Sequence, residues 1–543
     1  MLFLSNASLL LVNAFTYRSE YSILFIRASI IVLLYSALLS IGSLHVRCLE
    51  QGIGIYNGLF QTSAITQSMD LLMYILAPVV LLLSGFYGSR SYGNKLENPM
   101  LPKNTQIQET LRGLSAEQFT IVTYPLVTLF ILIGAILLMS SSDLISMFLA
   151  IELQSYGLYI FATLYRNSEW STSAGLTYFL LGGLSSCFIL LGSALLYANC
   201  GLTSLDGIYV FSNIEIPSTS FTTTGHSEIL SMGLLIMSCG YLFKISAAPF
   251  HFWSPDVYDA LDTVVTTFVA NLPKISILIF LLGLTHGALS KYPEFSWTNV
   301  FLVSSFLSLV VGTVGGLVQF RIKKLLAYSS ISNVGFLLLA LSINSVESIQ
   351  AFILYLSQYM LTNINIFFII ILIGVSHHCT VGSFCKNVTP GAHLGLNSNL
   401  LDREHSPLQL ISQLKGYFYH NPVLALSFAI SIFSLAGIPP LLGFFAKQLV
   451  LSAALNNGYV FLSLIGILTS VIGGVYYLML IKAMFFDKSD ESSNEDKSIV
   501  STWPSSPFTI TVSVLTLANL LFILYPKIWL RSASVLAMTL FNP

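Results

Sequence analysis

The chain has 543 residues, of which 55% are hydrophobic and only 9% are charged, and its mean hydropathy is +0.79. Charged residues make up about a quarter of soluble globular proteins, so this composition excludes that class and indicates an integral membrane protein. The net charge of -1 and the lack of a long run of Lys and Arg also exclude an electrostatic footprint for nucleic acid.

The apolar pattern predicts an all-α polytopic membrane protein with fourteen transmembrane helices. A short first helix is expected within residues 1–17, which have neither the basic start of a signal peptide nor the character of a transit peptide. A helix crosses a bilayer with about 20 apolar residues. Runs of that kind predict the other helices at residues 21–46, 71–87, 119–139, 144–164, 174–197, 229–248, 257–284, 300–318, 325–341, 349–375, 423–455, 459–480 and 508–525.

The distribution of basic residues agrees with this order of helices. Lys and Arg accumulate in the loops on one side of a membrane. Alternate connections of the predicted chain carry fifteen such residues against four. The basic-rich loops are therefore expected to share one side of the membrane.

Four charged side chains are expected deep within apolar spans, namely those of Glu152, Lys244, Lys274 and Lys447. A charge at mid-bilayer costs roughly 2.5 to 3.5 kcal/mol on insertion scales, so such residues usually face the protein interior and indicate a path for ions or protons. Arg27 lies near the start of its span and is expected to extend to the nearer interface.

Prolines indicate two interrupted helices. Pro249 and Pro255 follow Lys244, while Pro439 and Pro440 precede Lys447. Each proline removes a backbone donor and crowds the preceding turn. Interruptions at corresponding places in two halves are typical of inverted repeats with a site between them. We therefore predict three N-terminal helices in residues 1–118, five-helix units in residues 119–285 and 300–486, and a polar loop with a C-terminal helix in residues 487–543.

Five segments carry a resemblance to a known family, in order and over about residues 119–486. They read FLAIELQSYGLYIF, YLFKISAAPFHFWSPDVYDA, LPKISILIF, RIKKLLAYSSISNVGF and LKGYFYHNPVLALSFAISIFSLAGIPPLLGFFAKQLV. Together they resemble the antiporter-like membrane subunits of respiratory complex I, and most of all the branch that contains bacterial chain N. One departure is that YDALDTVVTTF lacks the prolines usual in the family, which predicts a regular start of the eighth helix.

The resemblance implies a proton-translocating subunit of NADH:ubiquinone oxidoreductase without redox chemistry of its own. It matches Glu152 to the carboxylate on the fifth helix and Lys244 to the lysine on the broken seventh helix. We call these two residues the input pair. Lys274 matches the bridging lysine on the eighth helix (the relay lysine), and Lys447 matches the lysine on the broken twelfth helix (the output lysine).

Other polar residues are weaker candidates. His251 and His286 are secondary proton-path candidates, although a histidine satisfied at the interface is more common. For Asp256, Asp259 and Asp262 we expect a solvated helix start rather than the lining of a path. Asn363 and Asn365 are expected to bind water or to tie helices together. We expect no metal at the group formed by His377, His378, Cys379 and Cys385, because its spacing is unlike that of metal sites.

The family resemblance also implies partners and a location. No cofactor is expected in this chain, whereas NAD, FMN, iron-sulphur clusters and ubiquinone are expected in other subunits. The expected partners are neighbouring membrane-arm subunits and lipids, including cardiolipin at the basic side. The expected location is the mitochondrial inner membrane, with the basic-rich loops facing the matrix. A subunit of a multisubunit sodium/proton antiporter, a subunit of the photosynthetic relative of complex I and a purely structural spacer remain alternatives.

Overall fold

In the computed structural model, which describes residues 1–15, 22–46, 49, 52–94, 123–165, 168–213, 223–287, 297–384, 408–487, 506–522 and 524–541, most residues are helical. The helices are α1 (Leu2–Phe15), α2 (Ser22–Leu44), α3 (Ala64–Asn94), α4 (Thr123–Ser140), α5 (Leu144–Ala162), α6 (Glu169–Cys200), α7 (Leu205–Asn213), α8 (Thr223–Lys244), α9 (Trp253–Ala260), α10 (Thr263–Gly287), α11 (Asn299–Leu317), α12 (Ile322–Ile343), α13 (Val346–Phe384), α14 (Tyr417–His420), α15 (Pro422–Ala436), α16 (Leu442–Asn456), α17 (Val460–Phe485), α18 (Ser506–Leu521) and α19 (Pro526–Phe541).

Ten helices in the described ranges are long and apolar enough to cross a membrane. They are α2 to α6, α10 to α13 and α17. The helices α1, α15 and α16 and the Ile229–Lys244 part of α8 are apolar but shorter. The prediction of an all-helical membrane protein is therefore confirmed in its main feature.

The first interruption follows Lys244, at which α8 ends. The chain is irregular over residues 245–252 and becomes helical again in α9. Pro249 has no amide hydrogen to donate, so α8 cannot continue through this segment with its hydrogen bonds intact. The residues after the helix end satisfy its last carbonyls, since the Ile245 and Ala247 amides donate to the Tyr241 and Leu242 carbonyls at 3.0 Å each.

The second interruption divides the predicted span at residues 423–455 into two helices. α15 ends at Ala436, and Gly437 follows with φ +84°, a left-handed conformation that glycine adopts without strain. Pro439 and Pro440 come next, and α16 begins at Leu442. The interruption predicted at Pro439 and Pro440 is therefore confirmed, because the glycine and the two prolines end the first helix before the second begins.

The predicted start of the helix at residues 257–284 was wrong. α9 ends at Ala260, and α10 begins only at Thr263. Leu261 between them is extended, with φ -70° and ψ 155°. Asp262 directly precedes α10, where a carboxylate is favoured by the partial positive charge of a helix N-terminus. The regular start expected from the missing prolines is therefore not found.

A β-hairpin and the second of two C-terminal helices, α19, were not predicted. Strands β1 (Ile53–Ile55) and β2 (Phe60–Thr62) pair antiparallel, and Tyr56 and Asn57 have positive φ in the loop between them. The hairpin covers the α4–α5 connection, because the Ser142 amide donates to the Leu59 carbonyl at 3.1 Å. The predicted span at residues 508–525 ends early, since α18 stops at Leu521, and α19 follows it.

The centre of the bundle is formed by α10, α12 and α13. Their spans are 100%, 83% and 94% buried, whereas those of α2, α6 and α17 are 33% to 39% buried. The interrupted helices pack onto this arrangement, α8 against α6, and α15 and α16 against α13. Lys274 of α10 is therefore surrounded by protein rather than by lipid.

Candidate functional site

The input pair forms the only buried ion pair between two predicted site residues in the part of the chain that the structure describes. The Lys244 ammonium lies 3.5 Å from Glu152 Oε1. It also donates to Ser155 Oγ at 2.6 Å and to Ser186 Oγ at 3.2 Å. Only 7% of the Lys244 side chain and 14% of the Glu152 side chain are exposed. Two buried charges are costly unless they are paired and hydrogen bonded. The pair itself and the two serine hydroxyls supply both conditions for Lys244, whereas Glu152 Oε1 has no hydrogen-bond partner among the described residues.

A small cavity with room for water adjoins the input pair. Its wall joins Gln154 and Lys244 to Pro273 of α10, the neighbour of the relay lysine. Gln154 Oε1 accepts a hydrogen bond of 3.0 Å from Ser276 of α10. Polar groups therefore extend from the input pair toward α10, although Lys244 and Lys274 do not contact each other directly.

The relay lysine, Lys274, lies inside α10 and is 2% exposed. Its Nζ donates to Ser330 Oγ of α12 at 3.1 Å and lies 5.7 Å from the centroid of the Tyr258 ring. Over the described ranges, no carboxylate forms an ion pair with it. The ammonium is thus held by a hydroxyl and a ring face rather than by an opposite charge.

The output lysine, Lys447, is held at the second interruption. Its Nζ donates to the backbone carbonyls of Leu435 and Ala436, at 2.9 Å and 3.0 Å. These are the last two residues of α15, so their carbonyls lack the usual partners within the helix. The end of α15 also carries partial negative charge, which favours a cation. The interruption therefore creates the site that holds the ammonium.

Helix α12 contacts both the relay lysine and the output lysine, and polar side chains lie between these two contacts. Ser330 contacts the relay lysine, and the Phe336 ring lies 5.4 Å from the Nζ atom of the output lysine. Between them, Asn333 accepts a hydrogen bond of 2.8 Å from the Tyr355 hydroxyl of α13. Ser329 shares a hydrogen bond of 2.7 Å with a tyrosine hydroxyl of α17. One face of α12 thus carries polar side chains within the apolar core of the bundle.

The three aspartates near α9 form specific contacts, so the expected solvated helix start was wrong for two of them. Asp259 and Asp262 are 5% and 3% exposed. Asp259 Oδ2 lies 2.7 Å from Arg321 Nη1, and both aspartates interact electrostatically with Lys323. Only Asp256 keeps an exposed side chain. The basic residues that meet them come from the first turn of α12, a contact that spacing within one segment does not reveal.

The secondary candidates lie apart from the charged residues. His251 is half-buried in the first interruption. His286 lies in the last turn of α10, where its ring meets the Phe541 ring of α19 at 4.8 Å between centroids. Asn363 ties α13 to α10 by donating to Asn271 Oδ1 at 2.7 Å. Arg27, on α2, is exposed.

Two further predictions have different outcomes. Asn365 is fully buried, and its amide has no hydrogen-bond partner within the ranges that the structure covers. For the group formed by His377, His378, Cys379 and Cys385, the side chains lie outside the described residues. Across the described chain, no group of three or more His, Cys, Asp and Glu side chains is arranged to hold a metal ion.

Sequence reasoning missed the hydroxyls that hold the lysines. Ser155 lies three residues after Glu152 on α5 and thus on the same helix face, a signal that could have been used. Ser186 and Ser330 come from other helices, and only the fold brings them near. Lys323 was counted with a basic loop, yet it is 2% exposed.

Comparison with known proteins gives consistent results. The family model described as NADH:quinone oxidoreductase/Mrp antiporter, transmembrane, matches residues 141–473. A relative named NADH-ubiquinone oxidoreductase chain 2, from Rhizopus oryzae, is 45% identical over 96% of both chains. A relative named NADH-quinone oxidoreductase subunit N, from Rhodospirillum rubrum, is 35% identical over 68% of both chains.

Solved structures share the fold. A chain of respiratory complex I from Thermus thermophilus with bound aureothin has a TM-score of 0.68 and 23% identity, with 98% of this chain and 97% of that chain covered. A chain of the Mrp complex from Dietzia sp. has a TM-score of 0.72 and 17% identity, with 100% and 96% covered. By the matched segment and the two relatives, this chain belongs to the family of NADH:quinone oxidoreductase and Mrp antiporter transmembrane subunits.

Proposed function

We propose that this chain is a proton-translocating membrane-arm subunit of NADH:ubiquinone oxidoreductase. The relative from Rhizopus oryzae, which is similar over nearly the whole length of both chains, supports this assignment. The single structural observation that carries it is the buried contact between Glu152 and Lys244, beside the end of an interrupted helix. A structural spacer has no need of a charge pair with this desolvation cost.

The input pair acts as the switch. While Glu152 stays beside Lys244, the carboxylate stabilises the ammonium. When an upstream charge draws Glu152 away, the ammonium keeps only the two serine hydroxyls, and in a desolvated site these compensate a full charge poorly. Lys244 then releases its proton toward the relay lysine through water and through the polar groups beside Gln154.

The output lysine completes the transfer. A proton that reaches Lys447 makes it cationic, and the Leu435 and Ala436 carbonyls then hold the ammonium. Release to the far side of the membrane returns the lysine to its neutral form. The polar side chains of α12 between Ser330 and Phe336 provide the hydrogen-bonding groups for the step from the relay lysine.

The finer architecture belongs to the same proposal. We place fourteen helices across the membrane, in two inverted five-helix units at residues 119–285 and 300–486. The chain lies in the mitochondrial inner membrane with its basic-rich loops toward the matrix. Neighbouring membrane-arm subunits flank it, and lipids including cardiolipin contact the basic side. NAD, FMN, iron-sulphur clusters and ubiquinone act in other subunits, so this chain contributes no redox chemistry.

Purification of the tagged chain tests the assignment to the complex. We expect flavin-containing and iron-sulphur subunits to copurify with it, together with NADH:ubiquinone oxidoreductase activity. Copurification with other antiporter subunits alone would indicate a sodium/proton antiporter instead. Ferredoxin rather than NADH as the electron donor would indicate the photosynthetic relative.

Proton pumping tests the role of the charges. Complexes with Lys244→Ala or Glu152→Gln should assemble, oxidise NADH and translocate fewer protons per NADH. The proposed path is wrong if both complexes assemble normally and pump protons at the wild-type ratio.

A further inference from the structure

A set of contacts between α9 and α12 is not used by the proton path. Asp256 Oδ1 lies 2.8 Å from Lys324 Nζ, and Asp259 Oδ2 lies 2.7 Å from Arg321 Nη1. The third contact is the hydrogen bond of 2.6 Å from Lys323 Nζ to the Leu261 carbonyl. We call these three contacts the α9–α12 latch.

Burial distinguishes the contacts of the latch. The Asp256 side chain is 78% exposed, so its ion pair is solvated and screened. The Asp259 side chain is only 6% exposed, and Lys323 is 2% exposed. Loss of one partner there leaves a buried charge less well compensated. The inner part of the latch, formed by Asp259, Arg321 and Lys323, therefore holds the two helices together.

Contacts of α9 connect the end of α8, at the first interruption, to α12. At its start, α9 is tied to the end of α8, since Trp253 Nε1 donates to the Phe243 carbonyl at 3.0 Å. Phe243 directly precedes Lys244 of the input pair. At its other end, α9 is tied to α12, which carries Ser330 beside the relay lysine. A rigid eight-residue helix thus connects the input pair to the relay site.

We infer that the α9–α12 latch couples a movement at the input pair to the position of α12. When Lys244 loses its carboxylate partner, the interrupted segment shifts, and α9 transmits this shift to α12 because the inner latch resists separation. The movement changes how Ser330 meets the relay lysine. Asp259 and Arg321 are positioning residues that carry no proton themselves. This inference rests on the proposed function.

The test uses the intact complex reconstituted in vesicles, with proton uptake measured per NADH oxidised. Asp259→Asn and Arg321→Gln should oxidise NADH at a rate near that of the wild type and show a loss of protons per NADH. The exchanged pair, Asp259→Arg with Arg321→Asp, should recover part of that loss. The matched control is Asp256→Asn with Lys324→Gln in the exposed part of the latch, which should keep the wild-type ratio.

A wild-type ratio in either single variant overturns the inference. If the single variants do not assemble, Asp259→Glu takes their place, because one added methylene displaces the carboxylate without removing its charge. A lowered ratio in that variant supports the latch, and a wild-type ratio overturns it. Lys274→Met separates the two proposals. If the Lys274→Met complex pumps protons at the wild-type ratio, the proposed path itself is wrong. If Lys274→Met lowers the number of protons per NADH but Asp259→Asn does not, only the latch is refuted.

Discussion

Glu152→Gln removes the charge of the input pair while keeping the shape of the side chain. With the two charged atoms 3.5 Å apart, the attraction is about 5 kcal/mol at an effective dielectric constant of about 20. The hydroxyls of Ser155 and Ser186 remain, and hydrogen bonds to a charged group contribute about 1.5 to 3 kcal/mol each. Lys244 should therefore keep its place in the structure but lose the attraction of the Glu152 carboxylate, which compensates most of its charge.

The assay is proton uptake into vesicles that contain the purified complex, measured per NADH oxidised. We expect the variant to oxidise NADH and to translocate fewer protons, because the switch no longer distinguishes two charge states. Glu169→Gln is the matched control, since Glu169 is exposed in the first turn of α6. An assembled Glu152→Gln complex with the wild-type ratio would refute the reasoning.

Three other changes give distinct expectations. Lys447→Met keeps most of the side-chain length but cannot donate to the carbonyls at the second interruption, so we expect assembly with fewer protons translocated per NADH. Gly182→Ala should lower the amount of assembled complex, since its Cβ would overlap a tyrosine hydroxyl of α5 and overpacking costs about 1 to 3 kcal/mol. Gly183→Ala, which meets no atom within 4 Å, should assemble normally. Ser330→Ala removes the hydroxyl beside the relay lysine and should slow proton transfer, whereas Ser342→Ala, which removes a bond to its own helix, should not.

Apolar periodicity and charge were enough to predict most of the helical pattern and the four buried ionisable residues. The reason is physical, because a span must be apolar over its full length and any charge within it stands out. Prolines likewise gave the two interruptions. They did not give the place at which α15 ends, since that depends on the left-handed conformation of Gly437.

Contacts between distant segments could not be predicted in the same way. Lys323 belongs to a basic run that resembles a loop, and only the packing of α12 against α9 buries it beside Asp259. In the sequence, Ser330 is one of several serines of α12, and only the packing of α10 against α12 places it beside the relay lysine. The short hairpin carries an Asn57-Gly58 turn signal, which is easily overlooked where apolar spans dominate the chain.

The three lysines of the proposed path differ in what compensates their charge, and this difference bears on the direction of transfer. Lys447 is held by backbone carbonyls at a helix end, and Lys274 by a hydroxyl on a central helix. The carbonyls cannot leave without the backbone moving, and the hydroxyl carries no charge that its rotation could withdraw. Lys244 alone is compensated by a flexible carboxylate, that of Glu152, which rotation of its side chain can withdraw. A change of charge elsewhere in a complex can therefore act first at the input pair, and the later lysines respond to the proton that it releases.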